Sequence, residues 1–323
     1  MMEQTTLPYT DLTVSKQCLG LASLGHKNSE AEAFELMDCF VEQGGNFLDT
    51  ARIYSNWIPG ERHRSERILS DWLSSRNNRE QLVIATKGGH RNEIDKSNRV
   101  TPEEVSKDLA GSLAQLRIDH IDLYYLHRDD PSVSVAVIID YLNEEIAAGK
   151  IRYIGCSNWS AARLAEANAY AQKNGKQGFV ASQPRWSLGS RHMKTPADPT
   201  LLRLRSEGYE YHKSHQITLI PYSSQAGGFF SKFAITGDSE SLEKLPLYSK
   251  ENLAIAEKLK ALSDRCGIDI AHLVLAFLFE RPFPVIPLVG CRIASQMEDS
   301  VKSLDIEIPT DVMAELKALD PWD

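Results

Sequence analysis

The sequence predicts a single (β/α)8 barrel, an α/β fold of the TIM type, because short apolar runs alternate with amphipathic helical patterns along the 323 residues. The β-rich runs predict strands at 18–22, 46–50, 82–86, 121–126, 151–156, 178–183, 216–221 and 284–289. Helical periodicity marks 29–43, 64–75, 102–117, 132–148 and 160–174. Alternating strands and helices of this number fit a closed barrel better than an open sheet. No linker-like tract interrupts the pattern, so residues 1–323 are predicted to form one domain.

Local signals support the individual elements. Thr101 followed by Pro102 is typical of a helix start, with the Thr as N-cap and the Pro in the first turn. Gly44 and Gly149 are placed to end helices just before the next strand. The segment 224–248 is rich in Gly, Ser and Lys, and we expect a long irregular loop there after the seventh strand. Additional C-terminal helices are predicted at 294–304 and 310–320.

Composition limits the classes of function. The net charge of −8 and the pI near 5.7 argue against a nucleic-acid or anionic-membrane surface. The five cysteines are scattered without metal-ligand spacing, which is typical of a reduced intracellular protein. The N-terminus has no signal-peptide pattern, and the most apolar stretch, 270–279, is too short to cross a bilayer. We therefore expect a cytoplasmic protein with neither nucleic acid nor membrane as partner.

Four polar residues near the ends of predicted strands indicate an active site. They are Asp49 and Tyr54 after the second strand, Lys87 after the third, and His127 after the fourth. In such barrels the carboxyl ends of all strands open at one face, where the chemistry takes place. The Tyr54 hydroxyl beside Lys87 could give its proton to a carbonyl oxygen. The ammonium is expected to lower the pKa of the phenol.

The two remaining residues have supporting roles in this prediction. Asp49 would offset the burial of the Lys87 charge and hold the side chain in place. His127 could hydrogen-bond the carbonyl oxygen and orient the substrate. An isolated buried Asp49–Lys87 ion pair is the alternative, but it leaves the placement of Tyr54 and His127 unexplained.

Reduction of a carbonyl needs a hydride at the carbon as well as a proton at the oxygen. No side chain carries a hydride, so a nicotinamide or similar cofactor is implied. The sequence has no Gly-x-Gly-x-x-Gly after a strand, so a Rossmann fingerprint is absent. A barrel holds phosphates on the loops after its seventh and eighth strands instead. Here these loops are 223–228 and 290–296, and the second carries Arg292 before a predicted helix N-terminus.

Several motifs in this order resemble those of the aldo-keto reductase family. Residues 45–51 with Tyr54 are similar to its Asp-Thr-Ala-x-x-Tyr signature, and Lys87 after 84–86 is similar to its lysine segment. Tyr125-Leu126-His127 resembles the histidine segment, and 149–158 resembles the fifth-strand motif. The resemblance runs from about Leu19 to Ser300 and implies an NAD(P)H-dependent barrel enzyme that reduces aldehydes or ketones.

The resemblance also implies roles for particular residues. The catalytic tetrad would be Asp49, Tyr54, Lys87 and His127. Residues that match those holding the nicotinamide are Ser157, Asn158, Gln183 and the stacking Tyr222. Those in the pyrophosphate loop are Ser223, Gln225, Gly227 and Lys232, and those around the adenosine phosphate are Gly290, Arg292, Gln296 and Ser300. Ser300 stands where many relatives have Asn. NADP(H) is favoured through Arg292, and NAD(H) remains an alternative.

Polar and aromatic residues after strand ends are candidates for the substrate pocket: Trp57, Arg128, Asp129 and Arg185. They predict a small-molecule carbonyl or alcohol substrate, with a sugar-like or other hydroxylated aldehyde as the first hypothesis. For Arg128 and Asp129 the alternative is a salt bridge within the loop, and for Arg185 it is packing on the barrel. His212 and His215, three residues apart on a predicted helix, are interpreted as a solvated face in preference to a metal site.

Two other classes of function stay open at this point. A cofactor-sensing regulatory or binding subunit would keep the barrel and the nicotinamide but turn over slowly. A barrel hydrolase would use Asp49 with another carboxylate and need no nicotinamide. The sequence does not fix the oligomeric state.

Overall fold

The computed structural model describes residues 1–26 and 28–322. The strands in these ranges are β1 (Gln4–Thr6), β2 (Thr13–Ser15), β3 (Cys18–Gly20), β4 (Phe47–Asp49), β5 (Val83–Gly88), β6 (Ile121–Leu126), β7 (Ile151–Ser157), β8 (Ala181–Gln183), β9 (Thr218–Leu219) and β10 (Leu288–Val289). All but the first two form one parallel sheet, in the order β10-β3-β4-β5-β6-β7-β8-β9. Leu219 of β9 also pairs in parallel with Val285, shortly before β10. The fold is therefore the predicted (β/α)8 barrel.

Helices surround the sheet: α1 (Glu30–Glu42), α2 (Arg64–Arg76), α3 (Pro102–Leu116), α4 (Val135–Ala147), α5 (Ala161–Lys173), α6 (Ser206–His215), α7 (Phe229–Thr236), α8 (Glu240–Glu243), α9 (Lys250–Cys266), α10 (Ile270–Phe279), α11 (Ala294–Lys302) and α12 (Thr310–Leu319). The predicted start of α3 is confirmed, because the Thr101 side chain accepts from the Glu104 amide and Pro102 opens the helix. The predicted C-terminal helices are present as α11 and α12.

The prediction of an irregular segment at 224–248 is wrong for most of its length. A short 3-10 turn at Ala226–Gly228 leads into α7, and α8 follows. Three aromatic residues of α7, Phe229, Phe230 and Phe233, are buried against α9 and α10. The Gly, Ser and Lys content hid this apolar face, which supplies the burial that stabilises a short helix.

An antiparallel hairpin of β1 and β2, which was not predicted, precedes the barrel. Leu7, Leu12 and Val14 from this hairpin are buried against the first residues of the barrel strands, including Phe47 and Val83. The hairpin thus closes the end of the barrel where the strands begin, and it leaves the carboxyl end open for a site.

The interpretation of His212 as part of a solvated face is also wrong. Its side chain is buried, its Nε2 lies 2.7 Å from the Ser182 Oγ, and its Nδ1 lies 2.7 Å from the Ile217 carbonyl oxygen. His215 on the same helix is exposed and stacks on Tyr211. None of the helices in the described ranges is long and apolar enough to span a membrane.

Candidate active site

The register of the parallel strands brings the four predicted catalytic residues to one end of the barrel. Asp49 is the last residue of β4 and pairs with Ala85, two residues before Lys87 in β5. Lys87 in turn pairs with Tyr125, two residues before His127. Tyr54 lies in the turns that follow β4. Neighbouring strands are parallel and in register, so their carboxyl ends lie side by side. The four side chains therefore converge although the residues are far apart in sequence.

Lys87 is the centre of this group. Its Nζ donates to a carboxylate oxygen of Asp49, to the Thr50 carbonyl oxygen at 2.9 Å, and to the Tyr54 hydroxyl at 3.0 Å. The ring of Tyr54 meets the ring of His127 edge to face, with centroids 5.7 Å apart. All three hydrogen bonds of the ammonium are therefore used, and one of them is directed at the phenol oxygen.

Burial and charge act in opposite directions on the pair Asp49 and Lys87. Burial lowers the pKa of Lys87, but the Asp49 carboxylate and Tyr54 outweigh it, so the net direction is upward and the ammonium stays charged. Burial raises the pKa of Asp49, and Lys87 together with the Gln183 amide opposes this. The Gln183 Nε2 donates to the second Asp49 oxygen at 2.9 Å, so both carboxylate oxygens are hydrogen-bonded.

The expected lowering of the Tyr54 pKa is not what the structure shows. Burial raises the pKa of the phenol, and the attraction of Lys87 offsets this only in part. The sequence prediction considered the charge of Lys87 but not the depth at which Tyr54 lies. The phenol is therefore protonated at neutral pH, which is the form a proton donor needs.

His127 is a neutral imidazole in this environment. Burial lowers its pKa well below the ordinary value, and the charges of Arg128 and Lys87 act in the same direction. Its Nδ1 is buried without a hydrogen-bond partner among the described residues. The ring of His90 lies 4.8 Å away, and burial lowers the pKa of that side chain to about 4. Neither imidazole adds positive charge to the site near neutral pH.

The residues matched to the nicotinamide form a hydrogen-bonded group beside the tetrad. Asn158 has a left-handed backbone, and its Nδ2 donates to the His127 carbonyl oxygen at 3.2 Å. Its Oδ1 accepts from the Tyr222 hydroxyl at 2.9 Å. The Ser157 hydroxyl donates to the Gln183 carbonyl oxygen at 2.8 Å. These side chains are held in fixed orientations before any ligand is added.

A cavity of about 310 Å³ opens at this end of the barrel. Its lining includes Tyr54, His127, Arg128, Ser157, Asn158, Gln183, Tyr222, Ser223, Gln225, Gly227 and Gly290. Ala22 and Ser23 after β3 also line it, and so does Leu201, which sequence reasoning did not identify. Leu201 lies in the segment 184–205 between β8 and α6, whose length without an α-helix was the available signal.

The remaining residues matched to a cofactor lie outside this lining. Arg292 and Gln296 are exposed at the start of α11, where the Gln296 Oε1 accepts from the Arg292 amide at 2.8 Å. Ser300 is buried on the same helix and accepts from the Gln225 Nε2 at 3.0 Å, which ties the two phosphate-loop segments together. Lys232 is exposed on α7 and lines none of this cavity.

The four residues proposed for the substrate pocket differ in position. Only Arg128 lines the cavity. Asp129 forms a salt bridge with Arg163 at 3.3 Å, but its partner lies on α5 and not within the same loop. Arg185 lies over the ring of Tyr222, with its guanidinium carbon 5.3 Å from the centroid, and Trp57 is 49% exposed and contacts His26 edge to face. The structure does not bring Trp57, Asp129 or Arg185 into the cavity.

Comparison with known proteins agrees with this geometry. The sequence model described as "Aldo/keto reductase family" matches residues 16–321. The chain belongs to the aldo/keto reductase family. It is an oxidoreductase, and this family generally uses nicotinamide cofactors.

Individual relatives are similar over almost the whole chain. Norsolorinic acid reductase stcV of Emericella nidulans is 32% identical, over 98% of this chain and 81% of the relative. The uncharacterized oxidoreductase YrpG of Bacillus subtilis is 28% identical, over 99% of this chain and 96% of the relative. The aryl-alcohol dehydrogenase GME11368 of Pestalotiopsis microspora is 26% identical, over 96% of this chain and 80% of the relative.

Proposed function

We propose that this member of the family is an NAD(P)H-dependent carbonyl reductase in which Tyr54 is the general acid, and that NADP(H) is its preferred cofactor. The observation that carries the proposal is the 3.0 Å contact between the Lys87 Nζ and the Tyr54 hydroxyl, at the wall of a cavity that His127 also lines. A buried ammonium beside a protonated phenol favours the phenolate that remains after proton donation.

The residues of the cavity fit a dinucleotide. A Cβ added at Gly227 or Gly290 would meet no atom within 4 Å, so the backbone borders open space where a large ligand can approach. No described residue pairs with the Arg292 guanidinium, and the first turn of α11 beside it contains no acidic residue. An exposed cation at a helix N-terminus suits a phosphate, and here it favours the additional phosphate of NADP(H).

The roles proposed for the other cofactor residues are those that membership of the family implies. Ser157, Asn158 and Gln183 would orient the nicotinamide amide, and Tyr222 would pack against the ring. Ser223, Gln225, Gly227 and Lys232 would border the pyrophosphate, and Gly290, Arg292, Gln296 and Ser300 the adenosine phosphate. The bound cofactor supplies the hydride that no side chain carries.

The chain's own residues then handle the oxygen of the carbonyl. His127 is neutral and can donate one hydrogen bond to that oxygen, which fixes the direction of the carbonyl group. Tyr54 donates its proton to the oxygen as negative charge develops there. The Lys87 ammonium stabilises the resulting phenolate, and Asp49 keeps the ammonium charged and in place. Solvent returns the proton to Tyr54, and the reverse sequence oxidises an alcohol.

The structure gives the hydrolase alternative little support. Among the described residues that line the cavity there is no carboxylate, and both oxygens of Asp49 are occupied by Lys87 and Gln183. Glycoside or ester hydrolysis by paired carboxylates would need a second acid beside Asp49.

A steady-state assay separates the reductase from the sensor. NADPH oxidation would be followed with a panel of aromatic, aliphatic and hydroxylated aldehydes, and NADPH binding would be measured in parallel by quenching of Trp fluorescence. We expect saturable turnover with at least one aldehyde, strongly reduced in Tyr54→Phe. Tight NADPH binding with no turnover on any aldehyde would support the sensor and contradict the reductase.

A further inference from the structure

Two arginines and one aspartate form a charged group at the edge of the candidate active site. Arg128 follows His127 directly and lines the same cavity as Tyr54. Arg91 lines a second cavity of about 300 Å³, which Lys87 and His90 also border. Asp198 lies between them, 3.1 Å from an Arg91 nitrogen and 3.7 Å from an Arg128 nitrogen. The two arginines therefore line separate cavities, one bordered by Tyr54 and His127 and the other by Lys87.

The carboxylate of Asp198 neutralises this group only in part. Its Oδ1 accepts from Arg91 and also from the amide and hydroxyl of Thr200, at 2.9 and 2.6 Å. Among the residues that the structure describes, its Oδ2 has only the long contact to Arg128. Two guanidinium groups share one carboxylate, so a net charge of about +1 remains beside the site.

Arg128 is the more deeply buried of the two cations. Its residue is 6% exposed, and its Nε and one terminal nitrogen donate to the Thr200 hydroxyl and the His127 carbonyl oxygen at 3.0 and 2.8 Å. Burial lowers the pKa of this guanidinium, and the attraction of Asp198 does not restore it. The other carboxylates close by do not balance it, because Asp129 pairs with Arg163 and Glu93 with Arg62. His90 and His127 contribute no charge of either sign, because burial lowers the pKa of both side chains.

We propose that Arg128 and Arg91 recognise a carboxylate on the substrate, so that the preferred substrates are carbonyl compounds that also bear a carboxylate. This inference rests on the proposed reductase function and specifies its substrate class. A single negative charge matches the charge left over by Asp198, and a planar carboxylate matches the fork of a guanidinium. A phosphate carries close to two negative charges, which is more than the charge of about +1 that the group leaves uncompensated. The sugar-like aldehyde expected from the sequence has no such charge.

Paired substrates test this preference. The ratio of kcat/KM for 4-carboxybenzaldehyde to that for its neutral methyl ester, methyl 4-formylbenzoate, would be measured with NADPH. We expect a ratio of about ten or more in the wild type, since a charge-assisted hydrogen bond is stronger than a neutral one. The ratio should fall about tenfold in Arg91→Gln and rise in Asp198→Asn, which removes the competing carboxylate. Arg91 is varied because Arg128 also holds the His127 carbonyl.

The control is Arg117→Gln, which removes the same charge from an exposed pair with Asp71 far from the site in sequence. It should leave the ratio at the wild-type value. A wild-type ratio near one, or a ratio unchanged in both Arg91→Gln and Asp198→Asn, would overturn the carboxylate inference. Turnover of the methyl ester shows that each variant is folded. If Arg91→Gln does not fold, the ratio measured for Asp198→Asn tests the inference.

A binding measurement keeps this inference separate from the proposed function. Calorimetric titration would compare benzoate, benzamide and phenylphosphonate with the wild type and with Arg91→Gln. We expect benzoate to bind about tenfold more tightly than benzamide, and this difference to disappear in Arg91→Gln. Equal binding of benzoate and benzamide, or tighter binding of phenylphosphonate, would overturn the inference. If no carbonyl compound is reduced, the reductase proposal fails, and these titrations still decide whether the arginines bind a carboxylate.

Discussion

The Nζ atom of Lys87 lies 3.0 Å from the hydroxyl oxygen of Tyr54, while the same ammonium donates to the buried carboxylate of Asp49. This arrangement connects stability with chemistry. The ion pair keeps a charge inside the barrel, and one of the two other hydrogen bonds of the ammonium directs that charge at the phenol.

Removing Lys87 should therefore affect both properties. Lys87→Met leaves the Asp49 charge buried without its partner, and we expect the free energy of unfolding to fall by about 3–5 kcal/mol. Carbonyl reduction should fall about 10²-fold or more. Urea unfolding and steady-state kinetics measure the two effects. The double variant Asp49→Asn/Lys87→Met is the control. It should recover much of the stability without recovering activity, and a single variant as stable as the wild type would refute this prediction.

Cofactor preference should depend on Arg292. Arg292→Gln is expected to weaken NADPH binding about tenfold and to leave NADH binding nearly unchanged, because only NADPH carries the additional phosphate. Trp fluorescence titration gives both affinities. Lys302→Gln, at the other end of α11, removes the same charge and serves as the matched control. An equal loss for both nucleotides in Arg292→Gln would argue against a specific phosphate contact.

Stability at acidic pH should depend on His212. Burial lowers the pKa of this imidazole from 6.5 to about 4, so below pH 6.5 the unfolded chain binds a proton that the folded protein does not. The contribution of the neutral His212 to the free energy of unfolding is present above pH 6.5 and is lost as the pH falls towards 4. Between pH 7 and 4.5, His212→Gln should therefore lose about 2 kcal/mol less unfolding free energy than the wild type. Parallel curves for the two proteins would contradict this assignment.

Close packing beside Lys87 gives a fourth prediction. A Cβ added at Gly88 would lie 2.0 Å from the Tyr124 hydroxyl, which is buried and has no hydrogen-bond partner among the described residues. Gly88→Ala should destabilise the protein by about 1–3 kcal/mol. Tyr124→Phe alone should be close to neutral, and it should restore part of the stability when combined with Gly88→Ala. Thermal unfolding of the four proteins measures this, and a purely additive result would show that the clash lies elsewhere.

Much of the fold could be predicted because strand and helix patterns alternate regularly, and this includes the meeting of Asp49, Tyr54, Lys87 and His127. Parallel strands bring their carboxyl ends together at one face of the barrel. Residues that follow strand ends in the sequence are therefore neighbours in the structure. The hairpin of β1 and β2 was missed because its strands, Gln-Thr-Thr and Thr-Val-Ser, contain no apolar run. The helix α7 was missed because the Gly, Ser and Lys content of the segment hid its aromatic residues, whose burial against α9 and α10 stabilises it.

The site was less predictable where burial decides the outcome. Lys87 lies beside Tyr54 as expected, but the pKa of the phenol is raised because the depth of burial is a property of the folded protein. Asp129 follows His127 closely in sequence, yet it contacts Arg163 from α5 instead of the cavity. Arg91 and Asp198 are brought together from loops more than a hundred residues apart, and no local pattern identifies such a pair.

A single-turnover experiment tests the role of Tyr54 most directly. The preformed NADPH complex would be mixed with an aldehyde that the wild type reduces, and cofactor oxidation would be followed for the wild type and Tyr54→Phe. We expect NADPH to bind both proteins with similar affinity and the rate of oxidation to fall at least about 10²-fold in the variant. An undiminished rate in Tyr54→Phe would contradict the assignment of this phenol as the proton donor.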